Sequence, residues 1–140
     1  MKNIGKTFVI LLFLIICSCQ AQQLVQSPND AHKLKEKQQQ FINRPLKEVL
    51  KEIQPKIKTA FGNNEEGHSF FSFFFLSPEE SKRNVVGRKH SNIYVYVKEP
   101  IDWNFENRPK GKEYNWTKED VEKYGNLTVI RIKVIESIED

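Results

Sequence analysis

Read for the spacing of apolar and polar positions, residues 28–140 divide into a helical front and a strand-rich remainder. Ser27-Pro28-Asn29-Asp30 has an N-cap, a proline at the first helical position and an acid three residues after the cap, so it predicts a helix from Pro28 to about Ile42. Its apolar side, Ala31, Leu34, Phe41 and Ile42, is thin, which predicts a helix on the domain surface. Asn43-Arg44-Pro45 restarts the count. Leu46, Val49, Leu50 and Ile53 then fall at i, i+3, i+4 and i+7, the stripe of a core-facing helix that Pro55 stops.

From Lys56 the period changes to two. Ile57, Thr59 and Phe61 alternate with Lys56, Lys58 and Ala60, predicting a strand that ends at Gly62-Asn63-Asn64. In Ser69–Leu76 the residues Phe71, Phe73 and Phe75 line one face, and Phe70, Phe74 and Leu76 the other, interrupted by Ser72. Both faces therefore want cover. Ser77-Pro78-Glu79-Glu80 marks a turn, Ser81 to Ser91 the arm of a hairpin, and Asn92–Glu99 a strand with Ile93, Val95 and Val97 opposite Tyr94 and Tyr96. Residues 101–114 read as loop, with an edge strand at Ile101–Phe105. Thr117–Tyr124 is a capped helix with Gly125 after it, and Leu127–Ile135 is the last strand, with Ile130, Ile132 and Val134 on one face. The sum is an α+β fold: one or two N-terminal helices packed on a mostly antiparallel four- to five-stranded sheet, in two layers.

The first residues differ in kind. Lys2 and Lys6 precede the unbroken apolar run Phe8–Ile16, and small or polar residues follow, the three-part layout of a secretory signal peptide. The run is too short to cross a bilayer as a helix. Ile16-Cys17-Ser18-Cys19 resembles the lipobox of bacterial lipoproteins, and the resemblance implies that Cys19 becomes the acylated first residue of the mature chain. The alternative is ordinary cleavage after Ala21, since Cys19-Gln20-Ala21 puts small residues where signal peptidase wants them. Residues 1–21 are thus read as a signal peptide, 20–26 as a polar Gln-rich tether and 27–140 as a single domain.

Export changes what composition means. The whole chain carries 22 basic and 18 acidic residues, but the leader takes Lys2 and Lys6 with it and leaves a net charge of +2. So balanced a surface argues against nucleic acid as a partner. With no cysteine after position 19, the domain must rest on packing rather than disulfides, and together with the lipobox this points to a bacterial envelope, either the periplasm or the outer membrane. Asn115-Trp116-Thr117 and Asn126-Leu127-Thr128 match glycosylation acceptors, a short pattern read here as chance.

Candidate chemistry is sparse. No nucleophile elbow, metal-ligand spacing or Gly-rich phosphate loop occurs, so no catalytic residue, metal or cofactor is expected and the protein reads as a non-enzyme. A hairpin could bring His68 and His90 together, but both sit beside Gly or charged residues as exposed histidines do. Two features remain. Lys82, Arg83, Arg88 and Lys89 in one loop, with Arg108, Lys110 and Lys112 in another, would form a positive patch if the loops shared an edge, against the alternative of a solvated surface. Tyr94, Tyr96, Trp103, Tyr114 and Trp116 are interface-type anchors. Alternatively, residues 101–116 fold back across the second face of the sheet to cover Phe70, Phe74 and Leu76. The resulting expectation is an accessory or binding protein of the cell envelope that contacts another envelope or secreted protein, and the membrane through a lipid on Cys19. A periplasmic immunity or inhibitor protein, or a glycan-binding or glycan-cleaving domain using Trp103, Tyr114 and Trp116, are the rival readings.

Overall fold

The computed structural model describes residues 21–83 and 89–138. The leader, its Cys19 and the loop residue Arg88 lie outside them. The fold is α+β: four strands, β1 (Thr59–Glu65), β2 (His68–Phe74), β3 (Lys89–Val97) and β4 (Val129–Ile138), form one antiparallel sheet in the order β1-β2-β3-β4. Four short α-helices accompany it: α1 (His32–Glu36), α2 (Leu46–Lys51), α3 (Pro78–Lys82) and α4 (Lys118–Tyr124).

The register assigns the faces. Gly62, Phe71, Val95 and Ile132 lie abreast across the four strands, as do Ala60, Phe73, Ile93 and Val134. Most of these side chains are fully buried, beneath Val25, Leu34, Leu46, Val49 and Tyr124. This inner face and its helical cover form the core, and most of the hydrophobic stabilisation resides here.

Several expectations from the sequence give way to tertiary packing. Gly62-Asn63-Asn64 does not end β1; the turn is Glu66-Gly67, whose φ values of 48° and 78° suit a two-residue hairpin. Gly62 is needed for a different reason: a Cβ there would lie 2.5 Å from Ile101 Cγ2 and 3.2 Å from Trp103 Cβ, which press onto the strand. The first helix is broken into a 3-10 turn at Pro28–Ala31, α1, and a second 3-10 turn at Gln38–Gln40. It leaves helical geometry at Lys37, where three glutamines follow with no apolar residue to hold another turn to the core. Nor is it peripheral: Ala31 and Leu34 are completely buried and Phe41 nearly so.

The polar tether is shorter than 20–26. Val25 is fully buried, bridges Ile53, receives the N–H of Gln54 and donates to the carbonyl of Glu52, while Leu24 N–H donates to the Glu52 carboxylate. Ser77 opens a helix instead of a simple turn, because its hydroxyl accepts from Glu80 N–H and the Glu80 carboxylate accepts from Ser77 N–H. Residues 101–105 form no strand. In β4 a bulge near Val129–Arg131 breaks the simple alternation, so Val129 and Ile132 both turn inward and Ile130 is exposed.

Candidate binding face

The outer face of the sheet has a different character. Phe61, Ser72, Tyr94 and Lys133 lie abreast on it, flanked by the rows Thr59, Phe74, Asn92, Ile135 and Asn63, Phe70, Tyr96, Arg131. On this platform the rings fall into two groups: Phe61 stacks on Phe74 at 5.6 Å, and Phe70 meets Tyr96 at 5.1 Å and Tyr94 at 6.2 Å. Arg131 sits over Tyr96 with its guanidinium carbon 5.4 Å from the ring centre. The five aromatic side chains are only half-buried, and Ile135 and Lys133 are exposed. Beneath the rings Ser72 is wholly buried, and its hydroxyl has no hydrogen-bond partner among the described residues.

The platform runs at one end into a cleft of about 830 Å³ walled by Phe61, Phe74, Phe105 and Tyr114, with Lys58, Glu80, His90 and Asn92 as polar lining. Lys58 Nζ lies 2.7 Å from Glu80 Oε1, and this ammonium, with Ser77 N–H, holds the Glu80 carboxyl below its usual range. The cleft therefore carries a neutralised ion pair at its rim rather than a free charge.

The aromatic residues singled out in the sequence are divided between the two faces. Tyr94 and Tyr96 are on the platform. Trp103 and Trp116 cover the inner face, not the second one: their rings stand edge-on to Phe71 at 6.2 and 5.6 Å, and Trp116 meets Phe73 at 5.0 Å. Residues 101–116 thus do fold back on the sheet, but against Phe71 and Phe73 instead of Phe70, Phe74 and Leu76. Tyr114 and Phe105 reach round the β1 side, where Tyr114 meets Phe61 at 6.1 Å and Phe105 at 5.1 Å, and Trp103 shares the lining of the cleft with them.

Two of the basic residues are held in ion pairs. Arg108 grips Asp120 through two hydrogen bonds of 2.9 Å, caps the Asn115 carbonyl and stacks 3.9 Å over Trp103. Burial pushes the Asp120 carboxyl up, but Arg108 and the Thr117 N–H outweigh it and leave it below the ordinary carboxylate range. Arg108 is therefore a rivet between the 101–116 segment and α4. Lys89 pairs with Glu136 at 2.9 Å. Lys110 and Lys112 flank the exposed turn at Gly111, and Lys82 and Arg83 are exposed at the end of α3. His68 and His90 stand at opposite ends of the β2–β3 ladder, since Ser69 pairs with Val97 and Phe74 with Asn92.

Sequence reasoning missed Arg131 and Lys133 as the cations of the platform. Their signal was present in the alternation of the last strand, where both fall with Ile135, but it becomes informative only once the register sets them beside Tyr94 and Tyr96. Among the described residues no group of three or more His, Cys, Asp or Glu side chains could hold a metal ion, and no helix is long and apolar enough to cross a membrane. No protein-family model, curated protein or solved structure matches the chain.

Proposed function

We propose that the protein is an exported, non-catalytic binding protein of a bacterial envelope, tethered through an acylated Cys19, that contacts another protein with the outer face of its sheet. The supporting observation is the platform itself. Five half-buried aromatic rings on three adjacent strands, in two groups edged by Arg131 and Lys133, give this face the composition that anchors protein interfaces. The glycan reading loses ground because Trp116 is packed on Phe71 and Phe73 in the core, which leaves Trp103 and Tyr114 at the cleft.

A photo-crosslinking residue placed at Tyr96 in exporting cells tests the contact, with the exposed Lys47 of α2 as the control. A discrete protein adduct from Tyr96 and none from Lys47 is expected; equal diffuse labelling at both positions sinks the reading. The anchor is tested separately. Cys19→Ser releases the protein to the soluble fraction, whereas a mature chain that begins at Gln22 and lacks acyl mass refutes the tether.

A further inference from the structure

The two groups of rings on the outer face have different surroundings. Phe61 and Phe74 adjoin the cleft, where Tyr114 and the Lys58–Glu80 pair already stand beside them. Phe70, Tyr94 and Tyr96 meet only one another among the rings of the described residues, and the strand beside them is cationic. The register sets Arg131 next to Tyr96 and Lys133 next to Tyr94, both of them exposed. Unlike Lys58, Lys89 and Arg108, neither has an ion-pair partner among the described residues. Of the strand residues that alternate onto this face, the only carboxylate is Glu65, at the hairpin turn of β1, with β2 and β3 between it and the two cations.

A partner lying on these rings also covers Arg131 and Lys133 and strips water from them. Carboxylates offset that cost, and an uncharged or basic surface leaves it unmet. The spacing selects how the carboxylates are carried. Residues two apart on a strand are separated by about 6.7 Å, and residues four apart on a helix rise by about 6 Å. A helix laid along β3 therefore holds apolar side chains on the rings and carboxylates at i and i+4 beside Lys133 and Arg131. An amphipathic helix is also an element that ordinarily covers an apolar sheet face.

We propose that the partner protein lays an amphipathic helix on the Phe70, Tyr94 and Tyr96 group, its apolar face on the rings and its acidic flank on Arg131 and Lys133. This rests on the reading of the outer face as a protein contact and names the element that makes the contact.

The probe is a blocked helical peptide, Ala-Leu-Gln-Gln-Leu-Glu-Gln-Ala-Leu-Glu-Gln-Leu-Ala-Gln-Gln-Leu. It has two counterparts: one carries Lys for both Glu, and the other carries Pro for the central Ala, which keeps the charge and breaks the helix. Each is titrated to about 1 mM into the full chain held in phosphatidylcholine nanodiscs, and the amide shifts of Phe70, Tyr94, Tyr96, Arg131 and Lys133 give the affinity. The acidic helix is expected to bind about fivefold more tightly, or better, than either counterpart. In the double variant Arg131→Gln, Lys133→Gln its advantage over the basic peptide disappears, and in Arg131→Glu, Lys133→Glu it reverses, both variants being shown to fold by circular dichroism. Equal affinity for the acidic and basic peptides, equal affinity for the proline peptide, or no binding overturns the proposal. So do shifts of the same residues without peptide, whether on exchange into phosphatidylglycerol nanodiscs, as a membrane surface would give, or with rising protein concentration, as a second copy would give. A Tyr96 crosslink to a protein alongside any of these results discards only the acidic helix, whereas loss of that crosslink discards the face reading with it.

Discussion

Phe70 and Phe71 are neighbours in sequence and identical in chemistry, yet they belong to two different surfaces. Phe71 is completely buried, ringed by Phe73, Trp103, Trp116 and Tyr124 at 5.1 to 6.2 Å. Phe70 is half-buried and touches only Tyr94 and Tyr96 among the rings. Among the described residues one face of the sheet is saturated by the protein's own chain, and the other is apolar and only partly covered. That asymmetry separates the residues that hold the fold from those that carry the proposed contact.

Replacing the two rings measures the difference directly. Phe71→Ala removes a fully packed ring and is expected to cost about 4 kcal/mol in denaturant unfolding, whereas Phe70→Ala costs about 1 kcal/mol. Equal costs would mean that the outer face is as well packed as the inner one. Next in size is the rivet behind the inner face: Arg108→Gln strands a buried carboxylate and is expected to cost about 3 kcal/mol.

The same pair controls the acid limb. The Asp120 carboxyl is held below its ordinary value in the folded state, so its contribution is present above the unfolded value of about 3.9 and is lost as the pH falls through the folded one. In Arg108→Gln the burial that pushes Asp120 up is no longer outweighed by the guanidinium. Its acid unfolding midpoint should therefore move to higher pH than that of the parent chain; an unchanged midpoint would remove Arg108 as the cause. The smallest effect is expected on the platform itself. Ser72→Ala deletes a buried hydroxyl with no partner and should stabilise by about 1 kcal/mol, while the platform keeps its aromatic outline.

The sheet and its α+β class were legible in the chain because alternation and strand-breaking residues report local geometry. Which face is covered was not, because that depends on long-range events with no local trace. Phe70–Phe75 is apolar at both parities, so only the descent of Trp103 and Trp116 onto Phe71 and Phe73 decides which side is core. Gly62-Asn63-Asn64 carries strong turn chemistry, yet the glycine serves the close approach of Ile101 and Asn64 holds Ile101 by both backbone groups. Arg108 looked like part of a basic loop because its partner, Asp120, is twelve residues away on a helix. Leu24-Val25, two apolar residues after a run of glutamines, offered no period to read, and they are docked by long-range contacts with Glu52, Ile53 and Gln54.

That early docking gives the proposed tether a mechanical meaning. Gln23 already hydrogen-bonds the Lys51 carbonyl, so an acylated Cys19 would be joined to the folded body by a leash of four residues, about 14 Å when fully stretched. On such a leash the body would ride close to the lipid surface and sweep a small volume. A partner of the proposed lipoprotein would then have to come to the membrane, or already be there.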